Sequence, residues 1–207
     1  HHDWQIAALE QSAVGAPLAI WMKIDSGMHR LGIPLESAVA QWRRLERLGA
    51  RLKRLGQLTH LACADDRESA MTPLQIARFR EVAGALPGAK SIANSAGLLG
   101  WPASHGDWVR PGIMLYGVSP FLGRSGLEEG LRPAMTFHST LIAINHLAAG
   151  EAIGYGATWR APEALPVGVI AAGYGDGYPR HAPSGTPVLV NGIRAPLIGR
   201  VSMDMLT

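Results

Sequence analysis

Leu18-Ala19-Ile20-Trp21-Met22-Lys23-Ile24-Asp25, followed by Ser26-Gly27-Met28-His29-Arg30-Leu31-Gly32, decides how this chain is read. The first stretch is apolar on both faces, the pattern of a strand buried in a parallel sheet. The second is polar and glycine-punctuated, which makes it a loop at that strand's carboxyl end. Upstream, Asp3 to Ser12 reads as a short helix. Downstream, Leu35, Val39, Trp42, Leu45 and Leu48 recur at helical spacing and Gly49 supplies a stop. The densest basic stretches, Arg43-Arg44-Leu45-Glu46-Arg47 and Arg51-Leu52-Lys53-Arg54, suit the wet face of a helix.

The same alternation continues. Gln57 to Cys63 predicts a second strand, with an acidic loop after it. Thr72-Pro73-Leu74-Gln75 offers an N-cap, a proline at the first helical position and a capping glutamine. Ile76, Phe79, Val82 and Leu86 continue that helix to Pro87-Gly88. Lys90 to Ala93 predicts a third strand, and Trp108-Val109-Arg110-Pro111-Gly112-Ile113-Met114-Leu115-Tyr116-Gly117 a fourth. Repeating βα units imply an α/β fold with a parallel sheet or barrel, whose chemistry gathers at the carboxyl ends of the strands. Lys23, Arg30, His60, Asn94, Ser95 and Arg110 all fall at or near those ends.

After about Gly130 the texture changes. Met135 to Leu141 alternates with period two, Val167 to Gly173 and Val188 to Val190 read as short strands, and Asn191-Gly192 is a hairpin signal. The expected division is an α/β domain over 1–129 and an all-β domain over 130–207. The 207 residues carry a net charge of +3 without a basic stripe interleaved with aromatics, so nucleic acid is not an expected partner. No run reaches the roughly 18 apolar residues of a membrane span. Cys63 is the sole cysteine, which fits a reducing, cytoplasmic setting. The chain opens without methionine and closes in an apolar, strand-like run, so an internal fragment is expected.

Six motifs in order carry a resemblance: Met22 to Gly32, Asn94-Ser95-Ala96, Arg110-Pro111-Gly112-Ile113, Gly154-Tyr155-Gly156-Ala157-Thr158, Gly173-Tyr174-Gly175-Asp176-Gly177-Tyr178 and Gly199-Arg200-Val201-Ser202-Met203-Asp204. Together they resemble the alanine racemase family, pyridoxal-phosphate enzymes that interconvert L- and D-alanine. The resemblance implies the later part of a TIM-type (β/α)8 barrel followed by part of an all-β C-terminal domain. It also implies a homodimer with shared active sites. The family's lysine that bonds the cofactor lies in a Lys-Ala-Asp-Ala-Tyr-Gly-type segment, and this sequence has none. The family's C-terminal phosphate-contacting tyrosine has no counterpart either, and the chain alone is expected to be inactive.

The resemblance gives each residue a role. Tyr155, from the partner subunit, is the base on one face of the substrate, and His60 and Arg110 supply its polar surroundings. Tyrosine ordinarily ionises near about 10, so such a base needs cationic neighbours. Arg110 faces the pyridine nitrogen, which a guanidinium leaves unprotonated. Gly112 and Ile113 offer backbone amides and Ser95 a hydroxyl to the phosphate, with Asn94 beside them, while His60 packs on the ring. Arg30 meets the substrate carboxylate, and Lys23, carbamylated in many relatives, orients Arg30. Met203 and Asp204 reach the neighbouring subunit's site and Tyr174 stands at the substrate entrance, whereas Asp176 and Tyr178 are loop architecture. A non-catalytic pyridoxal-phosphate-binding homeostasis protein and a broader-specificity amino-acid racemase are the competing readings. Supply of D-alanine for the cell wall and its breakdown use the same chemistry.

Overall fold

The computed structural model describes residues 1–13 and 15–207. The chain divides into two compact units, His1–Met135 and Thr136–Thr207. In the first, α1 (Asp3–Gln11) precedes β1 (Leu18–Asp25), then β2 (Ile33–Pro34), α2 (Leu35–Glu46), β3 (Leu52–Leu58), α3 (Met71–Gly84), β4 (Ala89–Ser91) and α4 (Ser95–Gly100). The strands form one sheet in the order β2-β1-β3-β4, with every neighbouring pair parallel. The helices pack over one side. Met22 and Ile24 of β1 join Ala38, Trp42 and Leu45 of α2 and Ile76, Phe79 and Ala83 of α3 in a common core. Alternation along β1 therefore turns Trp21 and Lys23 to the other side.

Three expectations are corrected. The second strand lies earlier than Gln57–Cys63, because Leu52 and Leu55 pack against the core and β3 pairs with β1 from Leu18↔Leu52 to Lys23↔Leu58. Arg51 thus ends a 3-10 turn and Leu52 to Arg54 open the strand, rather than lining a helix. Gly56 obscured this by interrupting the apolar pattern, yet the sheet requires it: a Cβ there would lie 2.7 Å from Cε3 of Trp21. The stretch from Trp108 to Gly117 is not a full strand. Trp108 makes a single parallel bridge to Ser91, and Ile113–Tyr116 closes into a 3-10 turn. Finally, Thr72 and Gln75 do not cap α3, which begins at Met71 after Ala70 with no side-chain cap. Thr72, Gln75, Ile76, Phe79 and Ala83 form its buried face at helical spacing, so both polar residues point inward.

The second unit is built from antiparallel pairs: β5 (Leu141–Leu147) with β8 (Leu165–Ile170), β6 (Ala152–Ile153) with β7 (Trp159–Arg160), and β9 (Pro187–Val190) with β10 (Ile193–Pro196). The period-two stretch before Leu141 contributes no strand of its own. Asn191-Gly192 does form the β9–β10 turn, with φ of 51° and 82°. Ala172, Leu197, Val201 and Leu206 make a small core, and Leu206 bridges Ile170 at the end of β8.

Phe79 is fully buried whereas Leu74, on the same helix, is largely exposed. Phe79→Ala should lower the unfolding free energy by about 3–5 kcal/mol and Leu74→Ala by no more than about 0.5 kcal/mol, read from urea unfolding curves. Equal losses would contradict the assigned face of α3.

Candidate functional site

Lys23 sits near the end of β1, half-buried on the sheet side away from the helices. The loop that follows is shaped by Asp25, whose Oδ1 accepts from the backbone N–H of Gly27 at 2.9 Å and of His29 at 3.1 Å, while its Oδ2 pairs with His29 Nδ1 at 3.2 Å. That turn, with His29 at φ 55°, presents Arg30 on an exposed loop. His60 follows the end of β3, and Asn94, Ser95 and Arg110 lie beyond β4.

Arg110 is the most heavily anchored of these. Its Nη1 donates to Ser91 O at 3.0 Å and to Ser91 Oγ at 2.6 Å, and its Nη2 donates to Thr59 O at 2.5 Å and Ile92 O at 3.4 Å. Its backbone N–H donates to Ala93 O at 2.9 Å. All these acceptors are uncharged, and among the described residues no carboxylate pairs with the guanidinium. Its positive charge remains available to a ligand.

The consequence shows in the neighbouring groups. Burial, then the charges of Lys23, Arg110 and Arg30, hold the His60 imidazole below its ordinary pKa. Burial, then Arg110 and Arg30, likewise hold the Lys23 ammonium low, with Asp25 opposing. Burial alone lowers Arg110. His60, Asn94, Ser95, Arg110, Gly112 and Ile113 line one cleft of about 480 Å³. Ser95 Oγ, buried at its wall, accepts from Gly112 N–H at 2.8 Å, so that amide is committed inside the wall, while the hydroxyl proton of Ser95 remains to be donated. Ile113 heads the 3-10 turn, where the first amide has no acceptor within the turn. Asn94 Oδ1 caps α4 through Gly97 N–H at 2.8 Å, leaving only its NH2 to face the cleft.

In the second unit, two of the six motifs meet. A Cβ on Gly173 would fall 2.2 Å from Met203 O, so only glycine allows this approach. Tyr174 N–H then donates to Ser202 O at 3.0 Å and Gly175 N–H to Met203 O at 2.8 Å. Asp176 closes the turn by accepting from Gly173 N–H at 2.9 Å, the architectural role expected of it. Met203 and Asp204 are exposed, as is Tyr155, at 69%. Tyr155 lines a concavity of about 310 Å³ with Thr158, Arg180, His181, Ser184 and Arg200. Arg180 also lies over the Tyr174 ring, 5.4 Å from its centre.

Ser91, Arg180 and Arg200 were not singled out from sequence. Ser91 carries a faint signal, a hydroxyl inside a short apolar strand; Arg180 stands just after the motif Gly173 to Tyr178, and Arg200 lies inside the motif Gly199 to Asp204. Among the described residues no helix is long and apolar enough to cross a membrane, and no group of three or more His, Cys, Asp or Glu could hold a metal ion.

Residues 1–120 match the family model for the alanine racemase N-terminal domain and residues 134–207 that for the alanine racemase C-terminal domain. The chain is similar over its full length to alanine racemase from Halorhodospira halophila, 57% identical over 206 residues, and spans 57% of that relative's length. The biosynthetic alanine racemase of Pseudomonas aeruginosa is 47% identical and superposes with a TM-score of 0.88 over 99% of this chain and 57% of its own. The Bartonella henselae alanine racemase, solved with covalently bound pyridoxal phosphate, is 28% identical with a TM-score of 0.74 over 99% of this chain and 55% of its own.

The depressed His60 pKa sets a pH dependence. Unfolded, His60 takes up a proton near its ordinary pKa of about 6.5; folded, it takes one up only at lower pH. Stability should therefore rise with pH in the interval just below about 6.5. His60→Gln should flatten that part of a plot of urea midpoint against pH. An unaltered slope would contradict the burial and the cationic surroundings described for His60.

Proposed function

The chain belongs to the alanine racemase family, and on that premise we propose that it serves the pyridoxal-phosphate-dependent interconversion of L- and D-alanine. The observation that supports this best is the cleft around Arg110, whose guanidinium has no carboxylate partner among the described residues, Asp65 being the one acidic side chain on the wall. Its donors suit pyridoxal phosphate: the Ser95 hydroxyl and the Ile113 amide for the phosphate, the Nε–H of Arg110, whose two Nη groups are taken by Ser91, Thr59 and Ile92, for the ring nitrogen, and His60 for the ring. Gly112 acts at one remove, by fixing Ser95. When bound, the cofactor supplies the electron sink that makes the α-proton of an amino acid removable.

The remaining steps fall to side chains. Arg30 takes the substrate carboxylate. Lys23, whose ammonium is destabilised by burial and by Arg110 and Arg30, gives up its proton more readily than a free lysine, and its neutral form can react with carbon dioxide. The amine nitrogen bonds the carbon and releases a proton, and the resulting carbamate anion orients Arg30. Tyr155, given by a partner subunit in a homodimer, takes the Cα proton on one face or returns one there. Met203 and Asp204 reach that same shared site, and Tyr174 stands at its entrance with Arg180 against its ring. Asn94 positions Ser95 by capping α4. The other face belongs to the family's cofactor-bonding lysine, whose segment is not in this sequence. We place the protein in the cytoplasm, where its single thiol stays reduced.

The test replaces the matching 206 residues of the Halorhodospira halophila relative with this chain. With pyridoxal phosphate the chimera should racemise L-alanine, and Tyr155→Phe should cut kcat by at least about 100-fold with cofactor affinity unchanged. A chimera that binds the cofactor but leaves L-alanine untouched would overturn the catalytic reading in favour of a cofactor-binding protein.

A further inference from the structure

Gln75 is wholly buried, yet both ends of its side-chain amide are bonded. Its Oε1 accepts from Ala62 N–H at 2.8 Å, and its Nε2 donates to His60 O at 3.1 Å and Ser26 Oγ at 3.4 Å. Ser26 Oγ in turn meets Thr59 Oγ1 at 2.8 Å, both hydroxyls being buried. Ser26 opens the loop that carries Arg30, and Thr59 and Ala62 flank His60. Thr59 also gives its carbonyl to Arg110. A single amide on α3 therefore ties together two loops and reaches the anchor of the cleft's central cation.

We propose that Gln75 is a positioning residue, fixing His60 and the start of the Arg30 loop relative to Arg110 and so setting the geometry of the anion-binding cleft. The amide itself is wholly buried while its bonds to Ala62 and His60 lie at the edge of the interior, so losing them leaves Ala62 N–H and His60 O to turn to water and frees the loop to shift. The role rests on the reading that this cleft receives pyridoxal phosphate.

The experiment uses the whole chain and has one arm without cofactor. His60 is faced by Lys23 from β1, Arg30 from the following loop and Arg110 from beyond β4, and Asp65 lies on the same cleft wall. In the unchanged protein, NMR should show the imidazole titrating below about 6.5. In Gln75→Met, close in volume but unable to make the bonds, the titration should move up toward that value and Ala62 N–H should exchange with solvent at least about tenfold faster. Pyridoxal-phosphate affinity, read by fluorescence, should fall about tenfold. Gln75→Glu gives a second handle. Burial holds its carboxyl protonated above the usual range near about 4.3, where it can still donate. Its affinity relative to the unchanged protein should therefore decline as rising pH ionises it, even if Gln75→Met fails to fold. A Gln75→Met protein with the same His60 titration, Ala62 exchange and affinity, or a Gln75→Glu protein whose relative affinity is flat with pH, overturns the proposal. If Gln75→Met shifts His60 and Ala62 while the unchanged chain binds no pyridoxal phosphate, the positioning role stands and the cofactor reading falls.

Discussion

Everything in the first unit bears on how Arg110 is held. A guanidinium withdrawn from water usually finds a carboxylate, because its charge is costly to desolvate. The half-buried Arg110 instead takes the carbonyls of Thr59, Ser91 and Ile92 and the hydroxyl of Ser91. These come from the ends of two adjacent parallel strands, where the ladder stops and carbonyls are left to be satisfied. The strand ends and the arginine thus solve each other's problem. The charge has no carboxylate partner, and it adds to burial, the larger cause, in holding His60 and Lys23 below their ordinary pKa values.

The sheet makes this arrangement affordable. Packing of β1 and β3 against α2 and α3 fills one side with Ile24, Trp42, Leu45 and Phe79 and leaves the other for polar work. Gly56 lets the Trp21 ring lie close to β3 on that second side. The second unit solves a different problem with the same economy of side chains. Gly173 packs directly on the Met203 carbonyl, so the loop bearing Tyr174 and the strand-like run bearing Met203 and Asp204 hold one another through backbone bonds alone.

Much of this was legible in the sequence. The apolar stretch of β1 and the helical spacing of Leu35, Trp42 and Leu45 gave strong periodic signals that packing did not override. The turn at Asn191-Gly192 was equally plain. What failed did so for local reasons. A glycine demanded by Trp21 broke the pattern of β3, and a basic run ahead of it imitated a helix surface. Thr72 and Gln75 matched a capping motif, but burial along the face of α3 took precedence, and Thr72 Oγ1 is left without a partner among the described residues. In the site, residue types at the strand ends were foreseeable, whereas the Ser91–Arg110 bond depends on how the segment at Arg110 lies along β4 and the Gln75–Ala62 bond on how α3 packs against the loop after β3, and both could come only from the fold.

The central claim is that a cleft built around an arginine with no carboxylate partner captures a phosphorylated pyridine. Calorimetric titration of this chain with pyridoxal phosphate and with pyridoxal, at low and high salt, tests it most directly. The account predicts that the phosphorylated compound binds at least about 30-fold tighter, the worth of one or two charge-assisted hydrogen bonds, and that added salt narrows the gap. Equal affinity for the two compounds, unaffected by salt, would contradict it.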